Sequence, residues 1–169
     1  MLTVQKWIVP ILFMVLIHQA SGQVTAVPIG ELTDSVRLQP KPSLILISTS
    51  WCSYCQMQKA QLKKNADFQA ASAHFYFSEF DAETKETISF NGSTYGFQST
   101  GVDIGTHELA YVLGNIKKRL AFPTWVLIDE NFTVLFKYPG VLDKKALREI
   151  VTYLSDKPLP NKAVNFTIK

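Results

Sequence analysis

The stretch Ser50-Trp51-Cys52-Ser53-Tyr54-Cys55 holds both cysteines of the 169-residue chain and constrains the fold around it more than any other segment. The apolar run Leu44-Ile45-Leu46-Ile47 leads into it, and Gln56 to Asn65 follows without glycine or proline. This pattern predicts strand, turn and helix, with Cys52 at the helix start. At that position unpaired backbone N–H groups and the helix macrodipole favour an anion, so a thiolate is stabilised relative to a thiol. A free cysteine titrates near about 8.5, and C-x-x-C settings lower this to roughly 3.5–7.5, within reach of neutral pH. Cys55 falls one helical turn further along the same face. A nucleophile and a resolving partner therefore stand together.

The first 22 residues decide the compartment in which the pair is read. Lys6 supplies a positive charge, Trp7 to Ile17 is an apolar run, and Ala20-Ser21-Gly22 places small residues where a signal peptidase cuts. The run is shorter than the roughly 20 residues a membrane-spanning helix needs. The expectation is a secretory signal cleaved near Gly22, leaving Gln23 as the first mature residue. In an oxidising compartment two cysteines can form a purely structural bridge. A bridge between residues so close in sequence removes little unfolded-state entropy, however, and the chain is long enough to be stabilised by its own core. Zinc is disfavoured because structural sites take four ligands and only His74 and His107 lie beyond the leader. The pair reads as redox-active, with a structural bridge and a metal site as the rival readings.

Composition indicates one globular domain: 47% of residues are hydrophobic and 18% charged, with no internal repeat. The net charge of +3 comes from scattered short clusters, Lys63-Lys64, Lys117-Lys118-Arg119 and Lys144-Lys145, so no basic stripe suggests nucleic acid.

Along the chain, residues 23–43 form an irregular lead-in interrupted by Pro28, Gly30, Pro40 and Pro42, with room for one short strand or helical turn. Leu44 to Thr49 reads as a strand buried on both faces. The helix after it should bury Met57 and Leu62. A second central strand is expected at His74 to Phe80, beginning at His74 in a structural or exposed role. Asn91-Gly92, between Ile88 and Phe97, predicts an inserted hairpin, because a type I′ turn needs positive φ at both central residues. Ser99 to Gly105 reads as loop. A helix is expected over Thr106 to Arg119, with Leu109, Val112, Leu113 and Ile116 on one face, a break at Gly114 and His107 at the surface. Thr124 to Ile128 and Val134 to Tyr138 suggest an antiparallel hairpin, and Asp143 to Ser155 a closing amphipathic helix with Leu147, Ile150, Val151 and Leu154 inward.

Trp51-Cys52-Ser53-Tyr54-Cys55, followed by Phe122-Pro123-Thr124, resembles the thioredoxin superfamily, and the hairpin at Ile88 to Phe97 together with His107-Glu108-Leu109 resembles its exported bacterial members. The resemblance implies an α/β fold: a thioredoxin-like central mixed sheet flanked by helices, with an inserted β-hairpin. It divides the chain into a signal peptide (1–22), a lead-in (23–43), a thioredoxin-like domain (44–156) and a C-terminal tail (157–169). By resemblance Cys52 and Cys55 are catalytic, Pro123 is a cis proline packed against the disulfide, and Trp51, Ser53, Tyr54, Phe122 and Thr124 flank a substrate groove. Cytosolic thioredoxins carry a buried Asp where this chain has Leu46, Gly-Pro where it has Ser53-Tyr54, and often Lys where it has Gln56. Without that acid, Glu79 is the candidate for proton transfer. The implied function is thiol–disulfide exchange with exported, periplasmic proteins by a monomer with no cofactor beyond the disulfide, more in the reducing than the oxidising direction, coupled to a membrane electron donor or acceptor. A disulfide-forming oxidase or a binding module without turnover is the alternative.

Overall fold

A computed structural model describes residues 24–155; the expected signal segment and the 157–169 tail lie outside the described residues. The centre is strand β1 (Ser43–Ser48), buried at all six positions. It lies between β2 (Tyr76–Asp81), which runs parallel to it, and β7 (Thr124–Ile128), which is antiparallel, and β8 (Val134–Pro139) closes the sheet in the order β2-β1-β7-β8. A strand with helices over both faces has no solvent side to display, so Leu44-Ile45-Leu46-Ile47 is apolar throughout rather than alternating.

Successive side chains leave a strand on opposite faces, and this splits the interior in two. Leu44, Leu46, Phe77, Trp125 and Leu127 face α2 (Ser53–Lys64), α3 (Ala66–Ala70) and α5 (Lys144–Ser155), packing against Leu62, Phe68, Leu147 and Ile150. Ile45, Ile47, Phe80, Val126 and Ile128 face α1 (Leu32–Leu38) and α4 (Glu108–Gly114), where Leu32, Val36, Leu109 and Leu113 cover them. Each such side chain contributes about 1.5–3 kcal/mol by leaving water.

Several expectations need correction. The lead-in is irregular at 24–28 and 39–42 but holds more than a single turn: a 3-10 turn at Ile29–Glu31 runs into α1, and Ile29, Leu32 and Val36 are buried in the second core. Met57 is 42% exposed, and the buried polar Gln58 points inward in its place, its Oε1 accepting the Leu142 N–H at 2.7 Å. His74 lies exposed in a 3-10 turn ahead of β2. The helix expected over Thr106 to Arg119 covers only Glu108–Gly114, and Val112 on it is exposed. Beyond Asn115 the chain makes a tight turn in which Ile116 and Arg119 exchange backbone hydrogen bonds and Lys117 and Lys118 take positive φ. Gly114 acts by close approach: a Cβ there would strike Ile47 and Leu120, so glycine lets α4 lie directly on β1.

The Asn91-Gly92 hairpin forms as expected between β3 (Ile88–Phe90) and β4 (Ser93–Tyr95), with φ of 45° and 80° at the two turn residues. Ser99 to Gly105 is not loop but part of a second hairpin, β5 (Phe97–Gly101) with β6 (Ile104–His107), turning at Val102 and Asp103. Apart from Phe97, Val102 and Ile104 its residues are polar or glycine, and most are exposed, so no apolar alternation marks it in the sequence. Gly105 is required there because the Gln98 carbonyl and the Phe97 ring occupy the space of a side chain.

Gln58→Ala should lower unfolding stability by about 1–3 kcal/mol, because it strands the buried Leu142 N–H without an acceptor. Urea denaturation checks this, and an unchanged midpoint would show that water replaces the lost bond.

A dithiol site at the end of the central strand

Cys52 is the N-cap residue of α2 and has extended backbone geometry. It is joined to Cys55 by a disulfide, with the two Cα atoms 5.2 Å apart. Both residues are buried, and the Cys55 N–H points at Cys52 Sγ from 3.1 Å. The first turn of α2 carries no acidic side chain and its last turn carries Lys63 and Lys64, so the helix's own side chains do not oppose the field that favours an anion at Cys52. The Cys52 N–H donates to Thr49 O at 3.4 Å, and Gln56 Nε2 reaches Ser50 O at 3.3 Å, tying the turn to the end of β1.

The antiparallel register sets Ile47 opposite Thr124. Phe122 and Pro123 therefore lie level with the residues that leave β1 for the disulfide turn. The Phe122–Pro123 peptide bond is cis, and Pro123 O accepts the Gly140 N–H at 2.7 Å. Phe122 is half-buried, its ring edge-on to Trp51 with centroids 6.0 Å apart, so the two sequence segments meet at this contact. Trp51 and Tyr54 are 68% and 65% exposed and Ser53 is exposed as well. Thr124 is buried, and its hydroxyl donates to Ala121 O at 2.7 Å, so its side chain braces the turn that carries Phe122 and does not reach the surface.

Glu79 sits opposite Leu46 in the parallel β1–β2 register and faces α2, where its carboxylate meets Lys59 Nζ at 3.1 Å. Lys59 is one helical turn beyond Cys55. The pair lines a cavity of about 220 Å³ floored by Leu62, Phe68 and Phe77.

Glu83 is a site residue that the sequence reading misses. Both of its carboxylate oxygens accept the Trp51 indole N–H at 3.0 Å. Ser48 and Asp81 are register partners at the ends of β1 and β2, so the residues just after each strand must run side by side. Counting from the two strand ends would have brought Glu83 beside Trp51. Among the described residues no group of three or more His, Cys, Asp or Glu comes together as a metal site. None of the described helices is long and apolar enough to cross a membrane.

A mixed sheet flanked by helices, with a C-x-x-C disulfide at a helix start, defines a thioredoxin-fold thiol–disulfide oxidoreductase. Residues 30–155 match the family model for the thioredoxin-like domain, and the chain belongs to that family. Among solved structures, the oxidoreductase DsbH is similar at a TM-score of 0.54 and 17% identity, covering 91% of this chain and 94% of its own. A thioredoxin-fold protein from Helicobacter pylori has a TM-score of 0.50 at 20% identity, covering 69% of this chain and 71% of its own. Thioredoxin f from spinach chloroplast gives 0.50 and 20%, covering 79% and 94%. At these identities the likeness is one of fold. No curated protein sequence matches the chain.

Once the bridge is reduced, limiting iodoacetamide should alkylate Cys52 ahead of Cys55, because only Cys52 sits at the cap where the thiolate is stabilised. Peptide mass spectrometry reads the ratio, and equal labelling would remove the distinction between the two sulfurs.

Proposed function

We propose that the protein reduces disulfides of other exported proteins through the Cys52–Cys55 couple. The observation that carries this reading is Cys52 at the cap of α2, bridged to Cys55 beside the exposed aromatic rings of Trp51 and Tyr54. Cys52 thiolate attacks a substrate disulfide, one substrate sulfur leaves, and a mixed disulfide forms. Cys55 thiolate then attacks Cys52 Sγ, releasing the second substrate sulfur and closing the bridge. The electrons reside in the two sulfurs, so no bound cofactor is required, and a membrane electron donor would restore the dithiol. Residues 1–22 support export to the periplasm, with cleavage near Gly22.

Trp51, Ser53, Tyr54 and Phe122 are accessible around the disulfide and offer a surface for a substrate chain. Pro123 and Thr124 shape the turn beneath them. Glu79 is the proposed proton acceptor for Cys55, acting through the space beside Lys59. Its supports are its position on the α2 face of the sheet and the absence of any acid at Leu46.

Cys52→Ser should abolish insulin reduction, and Cys55→Ser should trap a mixed disulfide visible on a non-reducing gel; full activity in the Cys52 variant would overturn the reading. The potential of the couple fixes direction, since about 30 mV corresponds to about 1.4 kcal/mol for two electrons. A value near about −270 mV fits a reductant, one near about −120 mV an oxidant, and one below about −300 mV a structural bridge.

Glu79→Gln should slow closure of the mixed disulfide by about tenfold or more near neutral pH. The deficit should shrink as pH rises past about 8.5, where a thiol ionises unaided. Stopped-flow release of a fluorescent substrate thiol measures it, and an unchanged rate at neutral pH would leave Glu79 only its ion pair with Lys59.

A further inference from the structure

His107 ends β6 and caps α4, and its side chain is completely buried. Its ring Nδ1 accepts the Leu109 N–H at 3.2 Å, so that nitrogen holds a lone pair. The proton of the neutral ring is therefore on Nε2, which lies 3.0 Å from Glu86 O and donates to it. The backbone N–H of the same residue donates to Ala82 O at 2.7 Å. One residue thus holds the carbonyls at both ends of the segment Ala82 to Glu86. The ring packs edge-on against Phe80, with centroids 5.5 Å apart.

Between the two held carbonyls lies Glu83, whose carboxylate takes the Trp51 indole N–H. The segment is also joined to β1, through the Ala82 N–H to Ser48 O at 2.8 Å, and to the β5–β6 hairpin, through Lys85 and Asp103 at 2.9 Å. The hairpin ion pair is exposed and contributes little. Asp81 Oδ1 accepts the Glu83 N–H at 3.0 Å and holds the near end of the segment, and the buried imidazole holds its far end at Glu86.

We propose that His107 is a positioning residue for the dithiol site, holding the Ala82–Glu86 segment so that Glu83 sets the Trp51 indole beside Cys52. This rests on the exchange reaction proposed above. A held indole is a preformed wall for the substrate chain, and a loose one must be ordered on each encounter, at a cost in affinity. His107 touches neither substrate nor sulfur. Its effect passes through Glu83 to one aromatic ring, and the β5–β6 hairpin is thereby part of the substrate-docking apparatus.

Asparagine and glutamine separate the two ring nitrogens. His107→Asn places an amide oxygen near the Nδ1 position and keeps the helix cap, but loses the donor to Glu86. His107→Gln extends a donor to the Nε2 position. In the full-length chain labelled with 15N at tryptophan indoles, with the Trp51 resonance identified by Trp51→Phe, His107→Asn should shift the Trp51 N–H signal toward its position in Glu83→Ala. It should also raise KM for insulin by about threefold to tenfold, the scale of one lost hydrogen bond, with kcat changed less. His107→Gln should restore both quantities toward the parent values.

In a Glu83→Ala background, His107→Asn should produce no further shift of the Trp51 resonance. An unmoved Trp51 signal in His107→Asn would overturn the proposal, as would fully additive effects of the two substitutions. Loss of the cooperative melt in His107→Asn without rescue by glutamine would also overturn it, by assigning His107 to folding alone. If the parent chain fails to reduce insulin, the exchange reading falls, while the indole resonance still decides whether His107 positions Trp51.

Discussion

Backbone pairing along β1 brings to the dithiol site the groups that lie far from it in sequence. The strand is buried on both faces, so its N–H and C=O groups must be satisfied by neighbouring strands, and this locks the register of β2 on one side and β7 on the other. A slip of one residue would turn every apolar side chain to the opposite face and is strongly disfavoured. From that register follow the level of Phe122 and Pro123 beside the disulfide turn, the placing of Glu79 opposite Leu46, and the side-by-side run that brings Glu83 to Trp51. The chemistry at Cys52 is thus held in place by hydrogen bonds made several residues away.

Much of this is legible in the sequence. The buried strand, the helix start at Cys52, the Asn91-Gly92 turn, the β7–β8 hairpin and the inward face of α5 all announce themselves through periodicity or turn chemistry, because local preference and global packing agree there. Failures fall where a contact distant in sequence overrides a local pattern. Met57 is apolar yet exposed, and polar Gln58 is buried in its place, accepting the Leu142 N–H. His107 has no neighbour in sequence that predicts burial, and its partners at Ala82 and Glu86 appear only after the second hairpin folds back. That hairpin is itself unmarked, since a strand exposed on most of its surface has no reason to alternate.

The site shows the same division. Cys52, Cys55 and Trp51 stand in one pentapeptide, and their proximity is covalent. Phe122 and Pro123 join them through β-sheet register, which a sequence motif can signal without explaining. Glu83 belongs to no motif, and the acid at Glu79 stands in a strand where alternation allows either face. Burial also separates the residues around the disulfide. Trp51, Ser53 and Tyr54 offer surface, while Pro123 and Thr124 form the support under Phe122.

The bond from Gln58 to Leu142 has a mechanical meaning beyond its contribution to stability. It fastens α2 to the connection between β8 and α5 one turn past Cys55, and Leu62 anchors the next turn in the core. The helix is clamped immediately behind the sulfurs. With the helix clamped there, opening or closing the bridge is expected to be accommodated within its first turn, with the remainder of the molecule keeping one outline in both redox states. A partner reading that outline would meet the same shape before and after electron transfer, so any preference for one form has to arise from the few atoms around Cys52.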